Sequence, residues 1–179
     1  GFVKINIVIM NKINSNEIFD IVDRFKNFNA ELRFIEFMDV GETNEWNLDR
    51  VYSSENVHRD ISKYFSLTKL KDELSSTSTK WQLKDYNAKI AFISSITQPF
   101  CSSCNRARLS ADGYFYTCLF ASEGYNVLET LRKSSDVDKL QSDIQNIWVK
   151  RIDQYSILRK SNNQDTEHKS KIEMSYIGG

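Results

Sequence analysis

Apolar residues recur along this chain in two rhythms, and the switches between them mark out its elements. Phe2 to Met10 (FVKINIVIM) is dense in β-branched residues, with only Lys4 and Asn6 strongly polar. Such a run predicts a strand buried on most sides, and polar positions two apart share one face of it. Asn14-Ser15-Asn16-Glu17 offers helix-start chemistry, after which Ile18, Ile21, Val22 and Phe25 recur at helical spacing. Leu32 to Met38 (LRFIEFM) returns to a nearly unbroken strand pattern. Strand, helix and strand in so short a stretch predict a βαβ unit with parallel strands. Such a unit needs further strands on its open edges.

After Asp39-Val40-Gly41 the rhythm breaks. Glu42 to Arg50 is polar and loop-like, with Trp46 a candidate anchor. Ser53-Ser54-Glu55 opens a second helix whose inner face is Val57, Ile61 and Tyr64 or Phe65. Lys69 to Lys80, charged and rich in Ser and Thr, predicts a mobile excursion. Lys89 to Ile96 reads as a strand, and Pro99 ends it. Arg106 to Ser110 and Tyr114 to Leu119 read as two strands about an Asp112-Gly113 turn, a strong hairpin signal. Val127 to Lys133 and Val137 to Val149 have amphipathic helical spacing, the second turning Leu140, Ile144, Ile147 and Trp148 inward. A polar stretch then gives way to an apolar terminus, Lys171 to Gly179 (KIEMSYIGG). The sequence has no internal repeat.

Composition narrows the function classes. The chain has 179 residues, with 24 Lys and Arg against 24 Asp and Glu, so its formal net charge is zero. That balance argues against a broad nucleic-acid or anionic-membrane surface, while a local basic pocket stays compatible with it. The longest apolar run falls far short of the roughly 20 residues of a membrane span. No secretory signal pattern opens the chain, which points to a cytoplasmic setting. The first residue is Gly1, as though the chain began inside an element. Three cysteines cannot close into a disulfide set within one chain, so a reducing compartment and metal or redox chemistry gain weight.

Cys101-Ser102-Ser103-Cys104, then thirteen residues, then Cys118 is the strongest local chemistry. A two-residue spacer lets both thiolates face one centre, and the hairpin can return Cys118 to it. Sulfur ligands select zinc or an iron–sulfur cluster. Three ligands leave one position open, and neither His58 nor His168 has ligand spacing to the cysteines. Buried or free thiols without metal are the bland alternative, and a thioredoxin-like redox pair is a weaker one. Arg106 and Arg108 follow directly, and on extended backbone they project to the same face. Two guanidiniums beside an open metal position form an anion clamp suited to phosphate; in isolation the pair would read as a solvated surface.

The stretches VKINIVIMNKINSNEI, LRFIEFMDVG, FCSSCNRARLSADGYFYTCLF and KIEMSYIGG, in that order, closely resemble the C-terminal half of the molybdenum cofactor biosynthesis protein A (MoaA) family. That family comprises radical S-adenosylmethionine GTP 3′,8-cyclases. The resemblance implies an α/β fold: the last βα units of an incomplete TIM-type barrel, residues 1–41, followed by a C-terminal α+β region, residues 42–179, that carries a three-Cys cluster site. It implies a 4Fe–4S cluster on Cys101, Cys104 and Cys118, with an open iron that contacts the guanine of GTP. Arg106, the backbone of Ala107, and Arg108 match the stretch that contacts GTP, and Lys4 matches a lysine at the barrel mouth that also does. Met38 matches a residue lining the S-adenosylmethionine pocket. Gly178 and Gly179 match a glycine pair that enters the active site and is needed for radical initiation, a use that suits residues without side chains.

One departure qualifies all of this. The sequence contains no CxxxCxxC, the motif that in this family binds the cluster that cleaves S-adenosylmethionine, and it lacks the first half of the barrel. The chain alone is therefore expected to be inactive and to depend on a missing N-terminal half, with a homodimer also compatible. The rival reading is a non-catalytic nucleotide-binding domain stapled by zinc or an iron–sulfur cluster.

Overall fold

Val3–Ile9 forms β1 and Ala30–Glu36 forms β2, joined through the helix α1, Ile18–Phe25. The two strands pair in parallel, from Val3 opposite Ala30 to Ile9 opposite Glu36, so the expected βαβ unit is present. In this computed structural model residues 1–72, 76–101, 104–134, 136–152, 155 and 171–177 are described. They divide into two compact units, one made of Gly1–Met38 and Trp46–Ser103, the other of Asp39–Glu45 and Cys104–Gly179.

In the first unit a five-stranded mixed sheet runs in the order β1-β2-β5-β4-β3. Here β3 is Leu67–Lys69, β4 is Thr79–Leu83 and β5 is Lys89–Ile93. β5 lies parallel to β2, with Leu32 opposite Ile90, while β4 is antiparallel to both of its neighbours. Thr79 and Lys80, which composition places in a polar excursion, instead open β4. Thr79 shares a face with Trp81 and Leu83 while Lys80 points to the other, and the short Lys84–Asn87 turn joins β4 to β5.

Among the described residues β1 is an edge strand, not the strand buried on most sides that its composition predicts. Ile5, Ile7 and Ile9 face the core, whereas Lys4, Asn6 and Val8 are exposed. β2 is an interior strand, and all of its residues except the half-buried Arg33 and Ile35 are buried.

The core lies between this sheet and two helices, α1 and α2, the latter spanning Ser54–Ser62. Ser53 caps α2, its Oγ accepting the Asn56 N–H at 3.2 Å. Val22 and Ile18 from α1 and Val57 and Ile61 from α2 meet Leu32, Phe34, Ile90 and Phe92 of the sheet. Each such side chain, fully buried, is worth about 1.5–3 kcal/mol of transfer free energy. Phe65 completes the predicted inner face, whereas Tyr64 is exposed and packs its ring on Phe19 at 4.6 Å. Trp46 is the anchor its position suggests, donating from Nε1 to the Phe37 carbonyl at 2.8 Å.

The second unit carries a three-stranded antiparallel sheet, β6 (Arg108–Leu109), β7 (Tyr114–Tyr116) and β8 (Tyr125–Asn126). The predicted hairpin is present with shorter arms, and β8 extends it. At the turn Gly113 has φ +83°, and a Cβ there would lie 2.3 Å from the Leu128 Cβ. The turn thus demands glycine for both conformation and space. Helices α3, Val127–Ser134, and α4, Val137–Lys150, follow. Leu140, Ile144, Ile147 and Trp148 are the half-buried side of α4, and Val137 and Val149 are exposed. A last short helix, α5, is Met174–Ile177. No helix among the described residues is long and apolar enough to cross a membrane.

Candidate functional site

The chain entering the cysteine segment is fixed by a buried carboxylate. Glu36, at the end of β2 and 1% exposed, accepts four hydrogen bonds. The donors are the Ser54 amide at the start of α2, the Ile96 and Thr97 amides, and the Thr97 hydroxyl. One anion thereby ties a strand end, a helix start and the turn that leads through Pro99 to Cys101. A charge this deeply buried is tolerable because every donor points at it.

All three cysteines are half-buried, and none is in a disulfide among the described residues. Cys101 belongs to the first compact unit, Cys104 and Cys118 to the second. Within the second unit the Arg106 guanidinium donates from Nη2 to the Cys104 Sγ at 3.5 Å. The Phe120 amide donates to the Cys118 Sγ, also at 3.5 Å. Burial pushes the Arg108 guanidinium below its ordinary value and the Arg106 charge adds to that, while the Cys118 and Cys104 sulfurs pull it back up. Arg108 is half-buried, and Arg106 and Ala107 are exposed.

Hydrogen bonds to sulfur of this kind are the usual surroundings of an iron–sulfur cluster. In donor chemistry, then, Cys104 and Cys118 fit a thiolate-ligated centre. Among the described residues no three Cys, His, Asp or Glu side chains stand together as a ready metal-holding group, and Ser102 and Ser103 of the spacer lie outside the described residues.

Arg151 is a component that sequence reasoning misses. It follows the C-terminus of α4, lies 3.6 Å over the Trp148 ring, and donates from Nη2 to the Cys104 carbonyl. Nothing in the sequence signals this, because a lone arginine after a helix is common and the contact spans 47 positions. The remaining expected residues lie elsewhere or are not described. Lys4 is exposed on the outer face of β1, and Met38 is half-buried just beyond β2. Gly178 and Gly179 lie outside the described residues.

Residues 30–157 match the protein family described as Molybdenum Cofactor Synthesis C. The chain belongs to that family. Over 182 aligned residues, all of this chain, it is 42% identical to the GTP 3′,8-cyclase of Staphylococcus epidermidis, and that match covers 54% of the relative. The GTP 3′,8-cyclase of Staphylococcus carnosus is 40% identical over the same shares. That of Staphylococcus aureus is 37% identical over 99% of this chain and 53% of its own length. The chain thus spans about half the length of the curated relatives it matches, and it corresponds to their C-terminal half.

Proposed function

We propose that this chain is the substrate-binding, C-terminal part of a GTP 3′,8-cyclase, the enzyme that converts GTP to 3′,8-cyclo-7,8-dihydro-GTP in molybdenum cofactor biosynthesis. The observation that carries this is the gathering of Cys104, Cys118, Arg106 and Arg108, in a chain 42% identical across its length to a protein of that name. In this reading Cys101, Cys104 and Cys118 hold a 4Fe–4S cluster, and Arg106, Ala107 and Arg108 bind GTP. The two guanidiniums take its phosphates through charge-assisted hydrogen bonds. Lys4 adds a further cation to the nucleotide, Met38 lines the S-adenosylmethionine pocket, and Gly178 and Gly179 reach the reacting centre with slim backbone.

When bound, the cluster offers an open iron to the guanine, and S-adenosylmethionine supplies the radical chemistry. This chain's own work is positioning: the thiolates fix the cluster, and the arginines orient the triphosphate. Residues 1–41 serve as the closing strands and helix of a partial TIM-type barrel, and residues 42–179 as the cluster and GTP region. With no CxxxCxxC in the sequence, turnover requires the N-terminal half as partner, in the cytoplasm.

Anaerobic reconstitution with iron and sulfide tests this reading. The expected result is about one 4Fe–4S cluster per chain, lost in Cys101→Ser, with GTP binding that depends on the arginines. Stoichiometric zinc with no iron would instead identify a metal-stapled nucleotide-binding domain.

A further inference from the structure

The segment 171–177 is held against residues 39–43 by a set of contacts that no apolar anchor requires. Lys171 Nζ donates to the Asp39 carbonyl at 3.0 Å and to its carboxylate at 3.1 Å, and the Tyr155 hydroxyl donates to the same carboxylate at 2.9 Å. Two residues on, the Glu173 carboxylate accepts the Glu42 amide at 2.8 Å, the Thr43 amide at 3.2 Å and the Thr43 hydroxyl at 3.1 Å. Positions two apart on extended chain face the same way, so Lys171 and Glu173 both turn to one side. Between them the Ile172 amide is bound to the Ala121 carbonyl at 3.3 Å.

Gly41 makes the Glu173 contact sterically feasible. Its φ is +69°, and a Cβ at this position would lie 2.2 Å from a Glu173 oxygen. Any side chain there would occupy the carboxylate's place. Glu173 directly precedes α5: its carbonyl accepts the Tyr176 amide at 3.0 Å and the Ile177 amide at 3.4 Å, and Ile177 is 1% exposed. A displacement of Glu173 is therefore passed directly to Tyr176 and Ile177.

We infer that residues 39–43 are the seat of the C-terminal tail, with Glu173 the positioning residue that sets how far the tail reaches and Gly41 the residue that admits it. The consequence for catalysis rests on the proposal that Gly178 and Gly179 work at the reacting centre. The seat itself does not depend on that proposal.

Hydrogen exchange followed by mass spectrometry on this chain tests the inference. Glu173→Ala is expected to speed exchange of the Tyr176 and Ile177 amides by about tenfold or more, as is Gly41→Ala, with peptides from β2 and β5 unchanged. Glu173→Gln keeps an oxygen to accept the Glu42 and Thr43 amides and is expected to stay within about threefold of wild type. That rescue separates a geometric seat from a mere charge effect, and Gln exchanging as fast as Ala would overturn the inference. So would Glu173→Ala exchanging within about twofold of wild type. Should Glu173→Ala not fold, Thr43→Ala, which removes one hydroxyl, must still raise exchange in the same two amides or the inference fails. None of these readings needs a cluster or GTP. Absent iron uptake therefore counts against the proposed function alone, and unaltered exchange counts against the seat alone.

Discussion

Glu36 and Thr97 are joined twice: the threonine hydroxyl donates to one carboxylate oxygen at 2.6 Å and its amide to the other at 2.9 Å. The pair links the end of β2 to a turn 61 positions later and so aims the segment that carries Cys101. A neutral amide cannot serve all four donors, since one of its two polar atoms is itself a donor. Glu36→Gln is therefore expected to lower stability by about 2–4 kcal/mol, because at least one buried donor is left facing an N–H. Urea unfolding monitored by Trp fluorescence measures it, and a shift of the midpoint with unchanged slope is the expected form. An unshifted midpoint would mean that the turn holds itself.

Asp60 makes part of the stability pH-dependent. Burial pushes its carboxyl up, but hydrogen bonds from Lys63 and Tyr52 and the charges of Lys63 and Arg59 outweigh this and hold it below the usual carboxylate range. The folded value lies below the unfolded one, so this contribution is fully present above about pH 4 and is lost as pH falls through the folded value. Wild type is expected to exceed Asp60→Asn in stability at pH 6, and the gap is expected to close as the pH falls below about 4. A gap that persists unchanged in acid would assign the difference to packing instead.

Gly113→Ala should open the β6–β7 turn. Left-handed backbone costs a non-glycine residue about 1–2 kcal/mol, and the added methyl would also strike Leu128. A loss of about 2 kcal/mol or more is expected in thermal unfolding, with the damage localised by exchange to Ser110, Tyr114 and the start of α3. Equal loss of protection in β2 would contradict this local assignment.

Arg106→Ala separates two roles of one side chain. Its guanidinium donates to the Cys104 sulfur and is also assigned to GTP phosphate. Loss of a charge-assisted phosphate contact predicts GTP binding weaker by about 10–100-fold in calorimetry. Iron and sulfide content is expected to stay at the wild-type level, because the sulfur contact is a single weak bond. Parallel loss of iron and of GTP affinity would make the arginine structural.

The βαβ unit, both α1 and α2, and the hairpin at Asp112-Gly113 were legible in the sequence because each carries its own periodicity or turn chemistry. The burial of β1 was misjudged from its apolar run, since composition reports what a strand can bury and not whether a neighbour covers it. β3, β4 and β8 were missed for another reason: two to five residues with mixed polarity give no period to read, and their place comes from pairing, β4 with β5, β3 with β4 and β8 with β7. At the candidate site the Cys and Arg spacing was visible as pattern. Glu36, Arg151 and Glu173 were not, because what each does depends on partners dozens of positions away along the chain.

The strand order also dictates when the first unit can form. β2, its most buried strand, waits for β5, and all of α2, β3 and β4 lie between them in sequence. Contacts of such separation are slow to close, whereas the β6–β7 turn closes within a few residues. During synthesis β2 therefore spends dozens of residues with its β5 flank unpaired. The second unit can begin its hairpin almost as soon as that hairpin emerges.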